Sequence, residues 1–240
     1  MWTAAILLIA LAAGAVMAWA VRAPSSTLLA PTIWRGPKDR RVLALTFDDG
    51  PSESTPQLLD LLARYNVRAT FFMVGHHVRR LPHVARMIVR EGHEIGNHTD
   101  THDALYLRSP GFIQDQIARA QESIAAITGV TPALFRASYG VRWFGLRAVQ
   151  RRLGLTGVMW TGIANDWALS GSAIAQRLIK RTRPGAILCF HDGRELKHNP
   201  DIRSTIEALE LLLPHWSEAG YGFETVSEVA WRASSRSSNE

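Results

Sequence analysis

Two adjacent aspartates, Asp48 and Asp49, follow an apolar run that begins at Val42, and Gly50 and Pro51 come directly after them. A run of this kind bounded by turn residues predicts a short buried strand with both carboxylates at its C-terminal end. Such a pair can be a simple polar turn, or one metal ligand beside one general base. The choice depends on whether other segments bring further ligands and a proton donor to the same place.

A second pair of candidate ligands is His98 and His102. Spacing of four residues lets two imidazoles face the same way on a helical turn and offer two nitrogen atoms, although paired histidines in a loop can also be structural. With Asp49 as a third ligand, they would form a catalytic metal site that leaves positions open for water and substrate. Asp48 would then be placed to act as the general base.

Three further groups are candidates for the same site. His191 ends the apolar run 186–190 and would donate a proton to a leaving group if it is protonated; otherwise it satisfies a hydrogen bond of the core. Asp166 would stabilise that imidazolium. Arg136 would hold Asp48 ionised and oriented, unless it forms an ordinary surface salt bridge.

The elements that position these groups alternate along the chain. About seven apolar strand-like runs alternate with amphipathic helical stretches, which predicts an α/β fold with a parallel sheet, closed or partly closed as a barrel. Catalytic residues of such barrels stand after the C-terminal ends of several strands. Asp48, His98, Arg136, Asp166 and His191 all lie at such ends. The pattern therefore predicts that they meet at one edge of the sheet.

Length, charge and cysteine content restrict the class of protein. The chain has 240 residues, a formal net charge of +6 and a single cysteine, Cys189. One substantial core is possible, and an internal disulfide framework is excluded. The arginines are scattered, which favours solvated helix faces over a nucleic-acid site, although a basic surface also suits an anionic wall polymer or a membrane. We expect no nucleic-acid partner and no obligate protein partner.

The N-terminal segment is apolar. Residues 2–21 carry no charged side chain and are long enough to span a membrane before Arg22 ends the block. The A-x-A pattern at residues 18–20 suits a cleaved signal peptide, but no basic residue precedes the block. We therefore predict a transmembrane anchor or signal segment over residues 1–22, a linker over 23–39, the catalytic domain over 40–232 and a polar tail over 233–240.

Five ordered motifs resemble those of the polysaccharide deacetylases, carbohydrate esterase family 4. They are T-F-D-D-G-P at residues 46–51, H-T-D-T-H at 98–102, R-A-S-Y-G at 136–140, N-D-W at 165–167 and C-F-H-D at 189–192. The resemblance covers about residues 41–229. Ser138 stands where the family usually has proline, which predicts a less rigid loop, and Cys189 stands where it usually has leucine. Every candidate ligand and proton-transfer group is retained.

The resemblance implies a fold, a reaction and a set of residue roles. The fold is a distorted (β/α)7 barrel, a single catalytic domain after the apolar helix, and the reaction is metal-dependent removal of acetyl groups. Zn²⁺ is the expected metal, with Co²⁺, Mn²⁺ or Ni²⁺ as alternatives. The implied metal ligands are Asp49, His98 and His102. The implied proton-transfer groups and their partners are Asp48 as base with Arg136, and His191 as acid with Asp166. The implied substrate-binding residues are Tyr139, whose backbone N–H would stabilise the oxyanion, and Trp167 and Cys189, which would line the pocket for the acetyl methyl group.

The substrate that this resemblance implies is an acetylated glycan. We expect removal of N-linked acetyl groups from N-acetylglucosamine-type residues of peptidoglycan or a chitin-like oligosaccharide. The alternatives are an O-deacetylase of acetylated xylan or other sugar esters, a catalytically silent glycan-binding homologue and a hydrolase of non-glycan amides. A wall substrate requires a membrane-anchored, extracytoplasmic domain, or a secreted one if the N-terminal segment is cleaved. The basic residues from Arg22 to Arg41 favour the opposite orientation by the positive-inside rule.

Overall fold

The structure is a computed structural model that describes residues 2–231, so the predicted polar tail at 233–240 lies outside the described residues. The strands are β1 (Thr32–Ile33), β2 (Val42–Asp48), β3 (Thr70–Met73), β4 (Glu94–Asn97), β5 (Leu134–Phe135), β6 (Thr156–Val158), β7 (Gly162–Ile163), β8 (Ala186–His191) and β9 (Gly222–Phe223). The helices are α1 (Trp2–Arg22), α2 (Thr55–Arg64), α3 (Gly75–Arg80), α4 (Pro82–Arg90), α5 (Pro110–Thr128), α6 (Leu146–Leu153), α7 (Gly171–Arg181), α8 (Arg203–Glu218) and α9 (Val226–Trp231). A 3₁₀ turn covers Ser138–Gly140.

The strands form one parallel sheet in the order β1-β6-β5-β4-β3-β2-β8-β7, and β9 pairs with β2. Within residues 2–231 no ladder joins β1 to β7, so the sheet is a curled half-barrel that stays open between its edges. The predicted α/β class and barrel-like parallel sheet are confirmed. Two strands were not predicted, because β1 and β7 contain two residues each and show no apolar run.

The central strand β2 is buried on both faces. Leu43, Leu45 and Phe47 belong to the main core, which also contains buried side chains of α2, α4, α7 and α8. Ala44 belongs to a smaller cluster with side chains from β3, β5, β6, β8 and α9. Because strand side chains alternate, Asp48 lies on the same face as Ala44, inside the curled sheet.

The C-terminal ends of the strands meet at one edge. β2 ends at Asp48 and β8 ends at His191, and these two residues are directly opposite in the ladder. β4 and β5 end directly before His98 and Arg136, and β7 ends three residues before Asp166. In the sheet these strands lie side by side in the order β5-β4-β3-β2-β8-β7, and all of them are parallel. Their C-terminal ends therefore bring the five residues to the same edge.

The segment before β2 is attached to the folded domain. The predicted linker 23–39 contains β1, which pairs with β6, and Arg35 forms an antiparallel bridge with Ala186. The proline-rich composition predicts a linker, whereas these hydrogen bonds attach the segment to the sheet. The preceding helix α1 is long and apolar enough to cross a membrane, with a mean hydropathy of 2.4, and it is largely exposed. The predicted boundaries after residues 22 and 39 stay predictions.

Candidate active site

Three side chains converge as a possible metal-binding group at the edge of the sheet. The Asp49 Oδ1 atom lies 3.0 Å from His102 Nε2 and 3.4 Å from His98 Nε2. All three residues are buried, and their ligand atoms lie within 4.8 Å of one another. Two imidazole nitrogens and one carboxylate oxygen are a donor set typical of catalytic zinc sites.

The loop that carries the two histidines is irregular rather than the helical turn that their spacing permits. Thr99 and His102 have left-handed backbone conformations, with φ of 68° and 56°. The side chain of Asn97 accepts a hydrogen bond from the Thr99 backbone N–H, and the Gln116 side chain accepts one from Asp100. These side-chain bonds replace the helical ones and bring the two imidazole centroids to 5.1 Å.

Electrostatics support the convergence on Asp49. Burial raises the pKa of the Asp49 carboxyl, but hydrogen bonds from His102 and His98 and the charges of His102 and His191 outweigh burial and hold that pKa well below its usual range. The Asp49 Oδ2 atom accepts a hydrogen bond from the Glu195 backbone N–H at 3.0 Å. The carboxylate is therefore ionised and fixed, with Oδ1 left for the histidines.

The imidazole of His98 is oriented for metal binding. Its Nδ1 atom lies 2.8 Å from the carbonyl oxygen of Arg136. A carbonyl can only accept, so Nδ1 carries a proton, and Nε2 is the nitrogen that faces Asp49 and would bind a metal. A hydrogen bond of this kind fixes the tautomer of a metal-binding histidine. The residues present therefore fit a divalent metal.

A second group with ligand-like spacing consists of Asp48, Cys189 and His191. It is the poorer metal site. Burial and the charge of Asp48 raise the pKa of the Cys189 thiol well above its ordinary value, so the thiol stays protonated. Asp48 is already paired with Arg136, whose Nη1 lies 2.7 Å from Oδ1. A cation there would compete with a buried guanidinium.

Asp48 is held by groups on both of its oxygens. Oδ1 accepts from Arg136, and the Cys189 thiol donates to Oδ2 at 3.4 Å. The Arg136 guanidinium is fully buried, donates also to Thr46 Oγ1 at 2.7 Å, and lies 4.1 Å over the ring of Phe72. Packing on every side fixes the orientation of Arg136, and Arg136 in turn fixes Asp48. The surface salt bridge considered for Arg136 is excluded by this burial.

His191 forms a separate hydrogen-bonded pair with Asp166. Its Nδ1 lies 2.7 Å from Asp166 Oδ1, and its backbone N–H donates to Oδ2 at 2.9 Å. The Thr205 hydroxyl also donates to Oδ2, at 2.6 Å. Burial lowers the pKa of His191, but the bond to Asp166 and the nearby carboxylates Asp49 and Asp48 raise it to about 9. The imidazole is thus protonated at neutral pH.

These groups surround one cleft of about 1150 Å³. Seven of the predicted site residues line it: Asp48, Asp49, His98, His102, Tyr139, Trp167 and His191. Trp167 is half exposed and packs edge-on against the His191 ring at 5.1 Å. The half-exposed Tyr139 ring packs against His102 at 4.6 Å. The cleft therefore has aromatic walls beside both histidine sites.

The other three predicted residues lie behind the cleft. Arg136 and Asp166 are buried partners of Asp48 and His191. Cys189 is fully buried, because β8 directs its side chain towards Asp48, and it is not among the residues that line the cleft. The family resemblance implies that Cys189 lines a pocket for the acetyl methyl group, whereas the Cys189 side chain lies behind the cleft wall.

Several residues of the site were not predicted from the sequence. Glu195 accepts a hydrogen bond from the Tyr139 hydroxyl at 3.0 Å, and burial with the Glu195 charge raises the pKa of Tyr139 to about 12. Glu195 lies four residues after His191, and this proximity was the one available signal. Thr205 comes from α8 and Trp160 from the segment after β6, and nothing in their sequence context marks them.

Comparisons with known proteins identify relatives over most of the chain. Residues 35–158 match the polysaccharide deacetylase family. A peptidoglycan-N-acetylglucosamine deacetylase of Bacillus cereus is 35% identical over 200 residues, which cover 82% of this chain and 91% of the relative. A chitooligosaccharide deacetylase of Bradyrhizobium sp. is 37% identical over 198 residues, covering 79% of this chain and 90% of the relative.

The fold agrees as well. The crystal structure of the Bc1960 peptidoglycan N-acetylglucosamine deacetylase superposes with a TM-score of 0.78 at 29% identity, covering 83% of this chain and 92% of that one. Relatives of more than 30% identity that are matched over nine tenths of their length establish an enzyme of the same class. The predicted resemblance is thereby confirmed, and the chain belongs to the polysaccharide deacetylase family.

Proposed function

We propose that the enzyme removes N-linked acetyl groups from N-acetylglucosamine-type residues of a glycan. The observation that carries the proposal is the convergence, in one cleft, of the donor set Asp49, His98 and His102 with a buried carboxylate, Asp48, and a protonated imidazole, His191. Amide hydrolysis needs both a base for water and an acid for the departing amine. The relatives named for peptidoglycan and chitooligosaccharides support the choice of substrate.

In this proposal Asp49, His98 and His102 hold a divalent metal, which, when bound, polarises the carbonyl and lowers the pKa of water. Zn²⁺ suits a set of two imidazoles and one carboxylate. Metal dependence is also expected from the family. The tautomer fixed by the Arg136 carbonyl and the ionised Asp49 are what the chain itself contributes to binding.

The proton transfers follow from the positions of Asp48 and His191. Asp48 takes a proton from the attacking water, and Arg136 keeps its Oδ1 in place. His191 donates its Nε2 proton to the amide nitrogen as the bond between carbon and nitrogen breaks, so that acetate and a free sugar amine are the products. Asp166 stabilises His191 in the charged form before that step. The Tyr139 backbone N–H is the proposed donor to the oxyanion.

The O-deacetylase is the remaining alternative for substrate chemistry. The same base and cleft would serve an ester. The raised pKa of His191 favours the amide, because an amine leaves from the tetrahedral intermediate only after protonation, and an acid charged at neutral pH supplies that proton. A silent homologue is disfavoured, because the base, the acid and all three ligands are present in hydrogen-bonding geometry.

Localisation follows from the substrate and from α1. We propose an extracytoplasmic catalytic domain, over residues 40–232, held by residues 1–22 as a membrane anchor. The apolar composition and exposure of α1 support the anchor, and relatives named for peptidoglycan support the side of the membrane.

Product analysis tests the proposed function. Chitin oligomers, peptidoglycan fragments and acetylated xylan are incubated with the enzyme, with and without a chelator, and examined by mass spectrometry. We expect loss of acetyl groups from the two N-acetylated substrates and no loss after chelation. Asp48→Asn serves as the inactive control. Loss from xylan alone would replace the proposal by the O-deacetylase, and no loss from any substrate would refute it.

A further inference from the structure

The last turns of α1 form a wall of the active-site cleft. Five residues of this helix line the same cleft as the candidate metal ligands, namely Gly14, Met17, Ala18, Val21 and Arg22. The remainder of α1 is exposed and apolar. The helix that would enter the membrane is therefore continuous with the catalytic cleft, with no spacer between them.

Arg142 fixes this arrangement. Its side chain is fully buried and donates to the carbonyl oxygens of Val21 at 3.4 Å, Ser26 at 2.6 Å and Ala23, all just at or beyond the end of α1. Its backbone N–H also donates to Val21, at 3.2 Å. Arg142 belongs to the loop that presents Tyr139, so these hydrogen bonds join the helix end to that wall of the cleft.

The length of α1 determines where the cleft lies relative to a bilayer. A helix of 21 residues is about 31 Å long, and the hydrocarbon core of a bilayer is about 30 Å thick. The residues that line the cleft, 14–22, occupy about the last 12 Å of that length. Residues 2–13 extend about 18 Å beyond the cleft, and their entry into the hydrocarbon places the cleft opening at the boundary between hydrocarbon and headgroups.

Four exposed apolar side chains of the domain belong to, or directly adjoin in the chain, residues that pack at or next to this helix end. We call them the interfacial collar: Leu28, Tyr106, Leu107 and Phe144. Trp143 connects the collar to α1, since its ring lies 4.6 Å from Tyr106 and 5.0 Å from Phe144 and packs against the buried cluster that contains Ala20 and Val21. Aromatic and apolar side chains at this depth are typical of protein surfaces that lie in a membrane interface.

We propose that the substrate is an acetylated saccharide carried on a membrane lipid and linked to it through phosphate. This inference rests on the proposed deacetylase function and specifies how its substrate is presented. Arg22, Arg194 and Lys197 line the cleft and form no salt bridge within residues 2–231. The Arg194 guanidinium donates to the carbonyl oxygens of Gly193 and Asp166, which hold it at the cleft. The three basic side chains suit the phosphate, while the saccharide extends towards Asp49. Glu195, the acid on this side, accepts from the Tyr139 hydroxyl.

The test compares one saccharide in two forms. The full chain is reconstituted in phosphatidylcholine–phosphatidylglycerol vesicles with an N-acetylglucosamine oligosaccharide that is either free or linked by diphosphate to a polyprenyl chain in the same vesicles. We expect the lipid-linked form to be deacetylated at least tenfold faster at equal concentration. Equal rates would overturn the inference and leave the deacetylase function intact. Failure to deacetylate either form would refute the proposed function itself.

A faster reaction with the lipid-linked form could arise because α1 holds the enzyme on the same vesicle, or because the collar seats the cleft in the membrane interface. Two variants distinguish these explanations. The double variant Leu107→Glu, Phe144→Glu keeps α1 and should lower the lipid-linked rate at least tenfold, with the free oligosaccharide used at an unchanged rate. Leu211→Glu places one glutamate on an exposed leucine of α8, outside the collar, and should change neither rate. A collar variant that uses the lipid-linked form at the original rate would contradict the inference.

A spectroscopic measurement reports the depth of the collar independently of activity. Cys189 is the one cysteine of the chain and is buried, so Leu107→Cys can be labelled with an environment-sensitive dye. Emission should shift to the blue on reconstitution, whereas a label at Asp60→Cys on the exposed side of α2 should not shift. The same emission at both positions would contradict an interfacial collar.

Discussion

Asp166→Asn tests the proton donor of the reaction. The Asp166 carboxylate accepts three hydrogen bonds, from His191 Nδ1, the His191 backbone N–H and the Thr205 hydroxyl. An asparagine amide has one acceptor oxygen and no charge, so one of its N–H groups must face a donor. The substitution therefore removes the interaction that keeps the imidazole protonated, while the burial that opposes protonation remains.

The magnitude follows from the pKa of His191. Burial lowers that pKa and Asp166 leads the groups that raise it to about 9. Without Asp166 we expect a pKa no higher than the ordinary value of about 6.5, a change of about 3 kcal/mol in the free energy of protonation. At pH 7.5 the protonated fraction would fall from nearly all to about one tenth or less, and the rate by at least about tenfold.

The assay is the pH dependence of kcat/KM, measured by acetate release. We expect the alkaline limb of the profile to move down by about 2 pH units in Asp166→Asn. A bound cation lowers the alkaline pKa in both proteins, so their difference is the relevant quantity. Thr205→Val, which removes one hydrogen bond but no charge, should move the limb much less. An alkaline limb that stays in place in Asp166→Asn would refute the role of His191 as the acid.

Two further predictions separate metal binding from catalysis and address stability. His98→Ala should abolish metal retention in dialysed protein, whereas Asp48→Asn should retain the metal and lose turnover; full activity of Asp48→Asn would contradict its role as base. Burial and the Arg68 charge lower the pKa of His93 to about 4, and the unfolded chain binds a proton near 6.5, so stability should fall as the pH falls from 6.5 to 4. Urea unfolding at pH 7.5 and 5.0 should show a loss of about 2 kcal/mol that His93→Asn lacks, and an equal loss in both proteins would contradict the assignment.

The edge of the sheet could be predicted from the sequence because each ligand-bearing motif follows an apolar run. Alternation of strands and helices predicts a parallel sheet and so places Asp48 and His191 at the same edge, and the ladder then shows them directly opposite each other. The hydrogen-bond partners could not be predicted in this way. Thr205 reaches Asp166 from α8, which is almost forty residues away in the chain, and no local pattern marks such a contact.

The N-terminal segment shows the limit of composition more clearly. Prolines at residues 24, 31 and 37 predict a linker, yet β1 lies between two of them and completes one edge of the sheet. The apolar block predicts an anchor, but only the structure shows that the end of this helix lines the cleft and is held there by Arg142 through backbone carbonyl groups. A buried arginine that binds backbone carbonyls has no sequence signature.

Arg136 connects the base to the metal-binding group. Its guanidinium holds Asp48, and its carbonyl oxygen holds the Nδ1–H of His98. The next loop is tied in by the Ser138 hydroxyl, which lies 2.9 Å from the Thr99 hydroxyl in the loop of the histidines. This hydrogen bond restrains the loop at the position where the family usually has proline, although the sequence predicts a less rigid loop there. Because both contacts of Arg136 arise from one residue at the end of β5, any shift of that strand changes the orientation of the proposed base, Asp48, and of the proposed ligand, His98, together. The site must therefore be preorganised as one unit.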